Sequence, residues 1–258
     1  MRKFTLALAI LGTTLVPALY TAPAHAQATR TWVSGVGDDA NPCSRTAPCK
    51  TFAGAISKTA SPGEINCLDP GGFGAVTITK SITIDCRYTS NGGVLVAGTN
   101  AIVVAATATD KVQLIGLDFE GVGTGVIAVK VNSALEVIVD DCIIRGFATN
   151  AVENDNSVAN SRVIIKNSLI ANNGTNGTPN TGGVNANASA SSVTLIIDSV
   201  LENNQNYSVQ TTNANNTAAL TRSFLSDPLK ITGGSVVSFG PSNVVGGAVN
   251  PSSTVVWK

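Results

Sequence analysis

From about residue 101 to residue 225, apolar positions recur with a period near 25 residues, and polar positions recur in phase with them. The segments Ala101-Ile102-Val103-Val104, Val126-Ile127-Ala128-Val129, Ala151-Val152-Glu153-Asn154, Gly183-Val184-Asn185-Ala186 and Ser208-Val209-Gln210-Thr211 align. Their starts fall 25, 25, 32 and 25 residues apart. The long step holds a polar insertion, Asn173 to Asn180. A second segment follows in phase (Val112-Gln113-Leu114, Val137-Ile138-Val139, Val163-Ile164-Ile165, Thr194-Leu195-Ile196), and a third after it (Leu117-Asp118-Phe119, Cys142-Ile143-Ile144, Ser168-Leu169-Ile170, Ser199-Val200-Leu201, Ser223-Phe224-Leu225). Each segment is short and alternates with period two, so each predicts a strand. Three strands per repeat, stacked, predict a solenoid.

The phase then assigns faces. Ile102, Ile127, Val152, Val184 and Val209 form one inward column. Leu114, Val139, Ile165, Ile196 and Leu220 form a second; Phe119, Ile144, Ile170, Leu201 and Leu225 form a third. Gly116, Asp141, Asn167 and Asp198 recur between the second and third strands, where a tight corner needs residues that tolerate a left-handed backbone. Cys142 shares an inward column with Leu117, Ser168, Ser199 and Ser223, which makes it a buried small thiol.

The ends differ in texture. Residues 1–26 have the form of a signal peptide: basic Arg2 and Lys3, an apolar run from Leu6 to Leu11, and the A-x-A site Ala24-His25-Ala26. No later stretch is long and apolar enough to span a membrane after cleavage. The expected location is therefore secreted or periplasmic, in a bacterium, with residues 27–258 forming one domain. Formal net charge is zero, so nothing directs the chain to nucleic acid. Within the domain, about 30–70 read as an N-terminal cap, 71–240 as coils and 241–258 as a C-terminal closure. The cap contains a strand at Thr31-Trp32-Val33 and an amphipathic helix over Lys50–Ile56. Trp32 and Trp257, near opposite ends, are expected to pack as end closures. Of five cysteines, Cys43 and Cys49 can close a small loop and Cys67 and Cys86 can staple the first coil; sequence alone does not fix the connectivity.

Trp32-Val33, Asn41-Pro42, Pro48, Lys50-Thr51-Phe52, Pro62-Gly63-Glu64, Gly71-Gly72-Phe73 and Ile78-Thr79-Lys80-Ser81-Ile82-Thr83-Ile84 together resemble the start of a protein of the pectin-lyase-like superfamily. The resemblance implies an all-β fold, a right-handed parallel β-helix with a short capping helix. It also implies a binding groove on the outer face of the first strands, beside the variable loop. It does not imply one chemistry, because that superfamily contains lyases, hydrolases, epimerases, adhesins and tailspikes.

On that face one outward column reads Val103, Ala128, Glu153, Asn185, Gln210, and the next reads Ala105, Lys130, Asp155, Asn187, Thr212. Glu153 and Asp155 share a face about 6–7 Å apart along the strand, with Lys130 expected one coil below Asp155. Two such carboxylates suit Ca²⁺ or acid/base work on a glycosidic bond. A lysine with a lowered pKa can abstract a proton, as a lyase requires. Asn185, Asn187 and Gln210 are the candidate ligand-binding amides. Asp140-Asp141-Cys142 matches a run of polygalacturonases, but the Gly-His-Gly and Arg-x-Lys elements of those enzymes are absent, and the repeat places both aspartates at a corner. The one histidine, His25, lies in the leader, which excludes imidazole chemistry from the mature chain. Three functions follow as expectations. The first is a rod without catalysis that binds a polysaccharide or cell-surface glycan. The second is a polysaccharide lyase or hydrolase acting on acidic polysaccharide through Lys130, Glu153 and Asp155. The third is a structural module of an envelope assembly. No cofactor is expected apart from Ca²⁺.

Overall fold

A computed structural model describes residues 27–89, 92–240, 244–246 and 251–255. The expected leader with His25, and Trp257, lie outside the described residues. The chain is a right-handed parallel β-helix with three faces. The second strands of the repeat make a ten-stranded sheet that runs from Ala28–Val33 through Thr59–Cys67 to Ser253–Val255. The first and third strands make the other two faces. They are joined where Leu117–Ser133 and Ile143–Asn154 pass through the corner between them without a break. Every pairing between these strands is parallel, and each rung pairs with the corresponding rung of the next coil.

The inward columns are the core. Leu114, Val139, Ile165, Ile196 and Leu220 are all fully buried, as are Phe119, Ile144, Ile170, Leu201 and Leu225. Each buried aliphatic side chain contributes roughly 1.5–3 kcal/mol, so stacking supplies most of what holds the rod together. The corners between second and third strands have positive φ at Gly116 (64°), Asp141 (54°), Asn167 (51°), Asp198 (48°) and Arg222 (47°). Arginine is unusual there. Its guanidinium is anchored to Asp198 one coil below by two contacts of 2.7 Å.

Two polar ladders line the inside of the turns. The backbone N–H groups of Cys142, Ser168 and Ser199 donate to the hydroxyls of Ser168, Ser199 and Ser223, each at 3.2 Å. Cys142 is buried and unpaired with another cysteine, and burial pushes its thiol up to about 12. In the second ladder, Phe147 N–H donates to Asn173, Asn173 N–H to Asn204, and Asn204 N–H to Asp227. Asn173 opens the polar insertion, yet it is fully buried, because its side chain satisfies backbone groups that the turn leaves unpaired.

At the N-terminal end, the helix spans Phe52–Lys58, two residues later than expected. Thr51 caps it by accepting from Gly54 N–H at 2.9 Å, and Asp39 in turn fixes Thr51. Buried Phe52 packs on Phe73, with ring centroids 5.2 Å apart. Disulfides join Cys43 to Cys49 and Cys67 to Cys86. The Cys43–Cys49 loop covers the edge of the first strand: Trp32 N–H donates to Cys43, Cys49 N–H to Trp32, and Ser34 N–H to Cys49. An exposed strand edge is a template for unwanted pairing, and this loop occupies it. Among the described residues no helix is long and apolar enough to cross a membrane.

Candidate functional site

The first-strand face departs from the expected register by two residues over one coil. Ile102 pairs with Val129 instead of Ile127, and Val129 pairs with Val152. Successive rungs are separated by 27, 23, 32 and 25 residues. The outward column is therefore Val103, Lys130, Glu153, Asn185, Gln210 and Lys230. Lys130 stands below Glu153, not below Asp155. The reason is local: Gly121 to Gly125 take up extra chain at the third-to-first corner, with left-handed backbone at Val122 and Gly123.

Lys130 still reaches both carboxylates. Its Nζ lies 3.3 Å from Glu153 Oε1 and 2.9 Å from Asp155 Oδ2. A network of partners continues in both directions. Asn150 donates to Glu153 Oε2 at 2.8 Å and accepts from the Tyr207 hydroxyl at 2.6 Å. Asn187 donates to Asp155 Oδ1 at 2.9 Å and accepts from Thr212. Tyr207 is fully buried and lies against Gly182, where an added Cβ would stand 2.6 Å from the Tyr207 carbonyl oxygen and 2.9 Å from its ring. The insertion packs beside it: Asn206 donates to the Thr178 and Thr181 carbonyls, and Lys230 donates to Asn180.

The electrostatics follow from this packing. Burial raises the Glu153 pKa, Asp155 adds to the rise, and Asn150 and Lys130 oppose it without cancelling it. Burial also acts against the charged form of Asp155, but hydrogen bonding with Glu153, Lys130 and Asn187 outweighs it and lowers that pKa. For Lys130, burial favours the neutral amine; the hydrogen bond to Asp155 and the charges of both carboxylates win, and its pKa rises. A lysine so held is a poor proton-abstracting base, and the lowered pKa that a lyase role needs is not what this geometry produces.

The same contact decides the fit of Ca²⁺. The Lys130 ammonium occupies the space between the two carboxylates that a cation would take. Among the described residues, no group of three or more acidic, cysteine or histidine side chains comes together to hold a metal. Lys130 thus offsets one of the two negative charges and fills the gap between the carboxylates, and a Ca²⁺ site does not fit there. Of the three expected ligand-binding amides, Asn185 and Gln210 are buried and only Asn187 is exposed. Gln210 donates weakly to Asn185 at 3.4 Å. Asp140 and Asp141 stand at a corner, with Asp140 paired to Lys166 at 3.1 Å. Tyr207 and Asn150, which hold Glu153 in place, are not among the expected site residues, although each stands one residue before an aligned first segment (Ala151 and Ser208) and so shares a column of the repeat.

No protein-family model matches the chain, and no curated protein matches its sequence. Among solved structures, the chain matches the crystal structure of pectate lyase Pel9A with a TM-score of 0.35 and 16% identity, over 88% of this chain and 80% of that one. No chemistry is carried over from that match. The three-sided parallel coil is established by the strand pairing itself, and it is the architecture that the resemblance to the pectin-lyase-like superfamily implied.

Proposed function

We propose that this chain is an exported β-helix rod that binds a polysaccharide or cell-surface glycan without transforming it. The observation that carries this reading is the lock on Lys130, whose ammonium is shared by Glu153 and Asp155 at 3.3 and 2.9 Å. The residues most suited to lyase chemistry are spent on one another. What the face offers outward at this level is Asn187 with Thr212 and the edge of Asp155, hydrogen-bonding groups suited to hydroxyls. Two disulfides support an oxidising destination. The test pairs a glycan array with an ultraviolet assay for unsaturated product on polyuronates, with and without Ca²⁺. Array binding without product, unchanged by chelator, is the expected outcome; unsaturated product at any Ca²⁺ level refutes it.

A second reading is hydrolysis, with Glu153 as acid and Asp155 as base. The observation that favours it is the opposite direction of their pKa shifts, a pattern found where two carboxylates divide acid and base roles. It requires that a glycan reach Glu153, whose side chain is only 13% exposed. Release of reducing ends that is abolished in Glu153→Gln would establish it.

A further inference from the structure

The N-terminal end of the rod contains a cleft of about 840 Å³ between the first strand and the loop that carries Cys43. That volume is in the range of small-ligand sites, roughly 300–1,000 Å³. Trp32 lines it. Thr31 and Val33 on either side are buried, so strand alternation turns the indole outward. Phe52 and Phe73 are fully buried, whereas Trp32 is partly buried and lines the cleft.

The charges around the cleft are committed elsewhere. Arg30 pairs with Glu64 at 2.9 Å, and Lys58 donates its ammonium hydrogens to the backbone carbonyls of Asp39 and Asn41. Both cations already have partners within the chain. What remains is an aromatic face, apolar Ala28 and Pro42, the amide oxygens of Gln27 and Asn41, and the Ser44 hydroxyl. The walls are fixed in advance. The disulfide closes the loop, Trp32 N–H holds Cys43, and Asn41 donates to the Pro48 carbonyl at 2.8 Å. A fixed cleft loses little entropy when it binds.

We propose that this cleft is a binding site for a neutral pyranose, with the Trp32 indole as platform for the sugar's C–H face. The proposal rests on the glycan-binding reading above and moves its main contact from the first-strand face to the end of the rod. An uncharged sugar ring is apolar on its faces and hydroxylated at its edge, which matches an indole flanked by amides and hydroxyls.

The chain has two tryptophans, so Trp257→Phe leaves Trp32 as sole reporter. Its emission is followed while neutral cello-, manno- and galacto-oligosaccharides, and separately trigalacturonate, are added. A saturable shift with a neutral sugar is expected. On the glycan array, Trp32→Ala should lose at least tenfold in binding and Trp32→Phe severalfold, with both variants checked for native circular dichroism. If the wild type binds the array and both variants bind equally well, this site is refuted while the glycan-binding rod stands. If the wild type binds no glycan, both fail. Tighter binding of trigalacturonate than of any neutral sugar refutes the neutral class.

Discussion

Asp110 shows how one side chain can tie two coils together. Its carboxylate accepts from Ser81 N–H (2.9 Å) and hydroxyl (2.6 Å), and from Thr107 N–H (2.8 Å) and hydroxyl (2.6 Å). Burial alone would raise its pKa; these hydrogen bonds outweigh burial and lower it to about 2. An unfolded aspartate titrates near 3.9, so the contribution is complete above about pH 4 and is lost as pH falls toward 2. Denaturant melts between pH 6 and 2 should show this loss, and Asp110→Asn should be less stable at pH 6 with a flatter acid limb. At this scale the sequence was only partly legible. Glu153, Asp155 and Lys130 were found because charge is rare on the first-strand face. The partners of Asp110 were not, because serine and threonine are common and their hydrogen bonds join residues 29 positions apart.

Among the elements, the inward columns and corners could be read in advance because burial and left-handed backbone each restrict residue type strongly. The register of one rung could not. A coil of 27 residues followed by one of 23 has the same total as two regular coils, so counting along the chain hides the shift. The asparagine ladder was missed for a related reason: Asn173 sits at the mouth of a polar insertion, and composition there suggests a loop. Asn204 is its central member, accepting from Asn173 N–H and donating to the Ile170 carbonyl. Asn204→Ala should cost about 1–3 kcal/mol, since it leaves a buried N–H without a partner. A thermal melt checks this; a wild-type midpoint would show that water replaces the side chain at no cost.

For the whole molecule, stability is the sum of coil-to-coil contacts, and the Cys67–Cys86 disulfide fastens the early coils across 19 residues. Cys67→Ser with Cys86→Ser should lower unfolding free energy by roughly 3 kcal/mol, the loop-entropy value for that span, as read from denaturant midpoints. The overall fold was legible because a repeat states the same constraint many times, whereas a site states its constraint once. The polar ladders add a direction to this sum. In each ladder a coil's corner N–H is received by a side chain of the coil that follows: Cys142 by Ser168, Asn173 by Asn204, Asn204 by Asp227. A coil is therefore incomplete until its successor docks, and a stack interrupted at any of these rungs ends on an unanswered donor. Completion proceeds toward the C-terminus, the same order in which a ribosome delivers the chain.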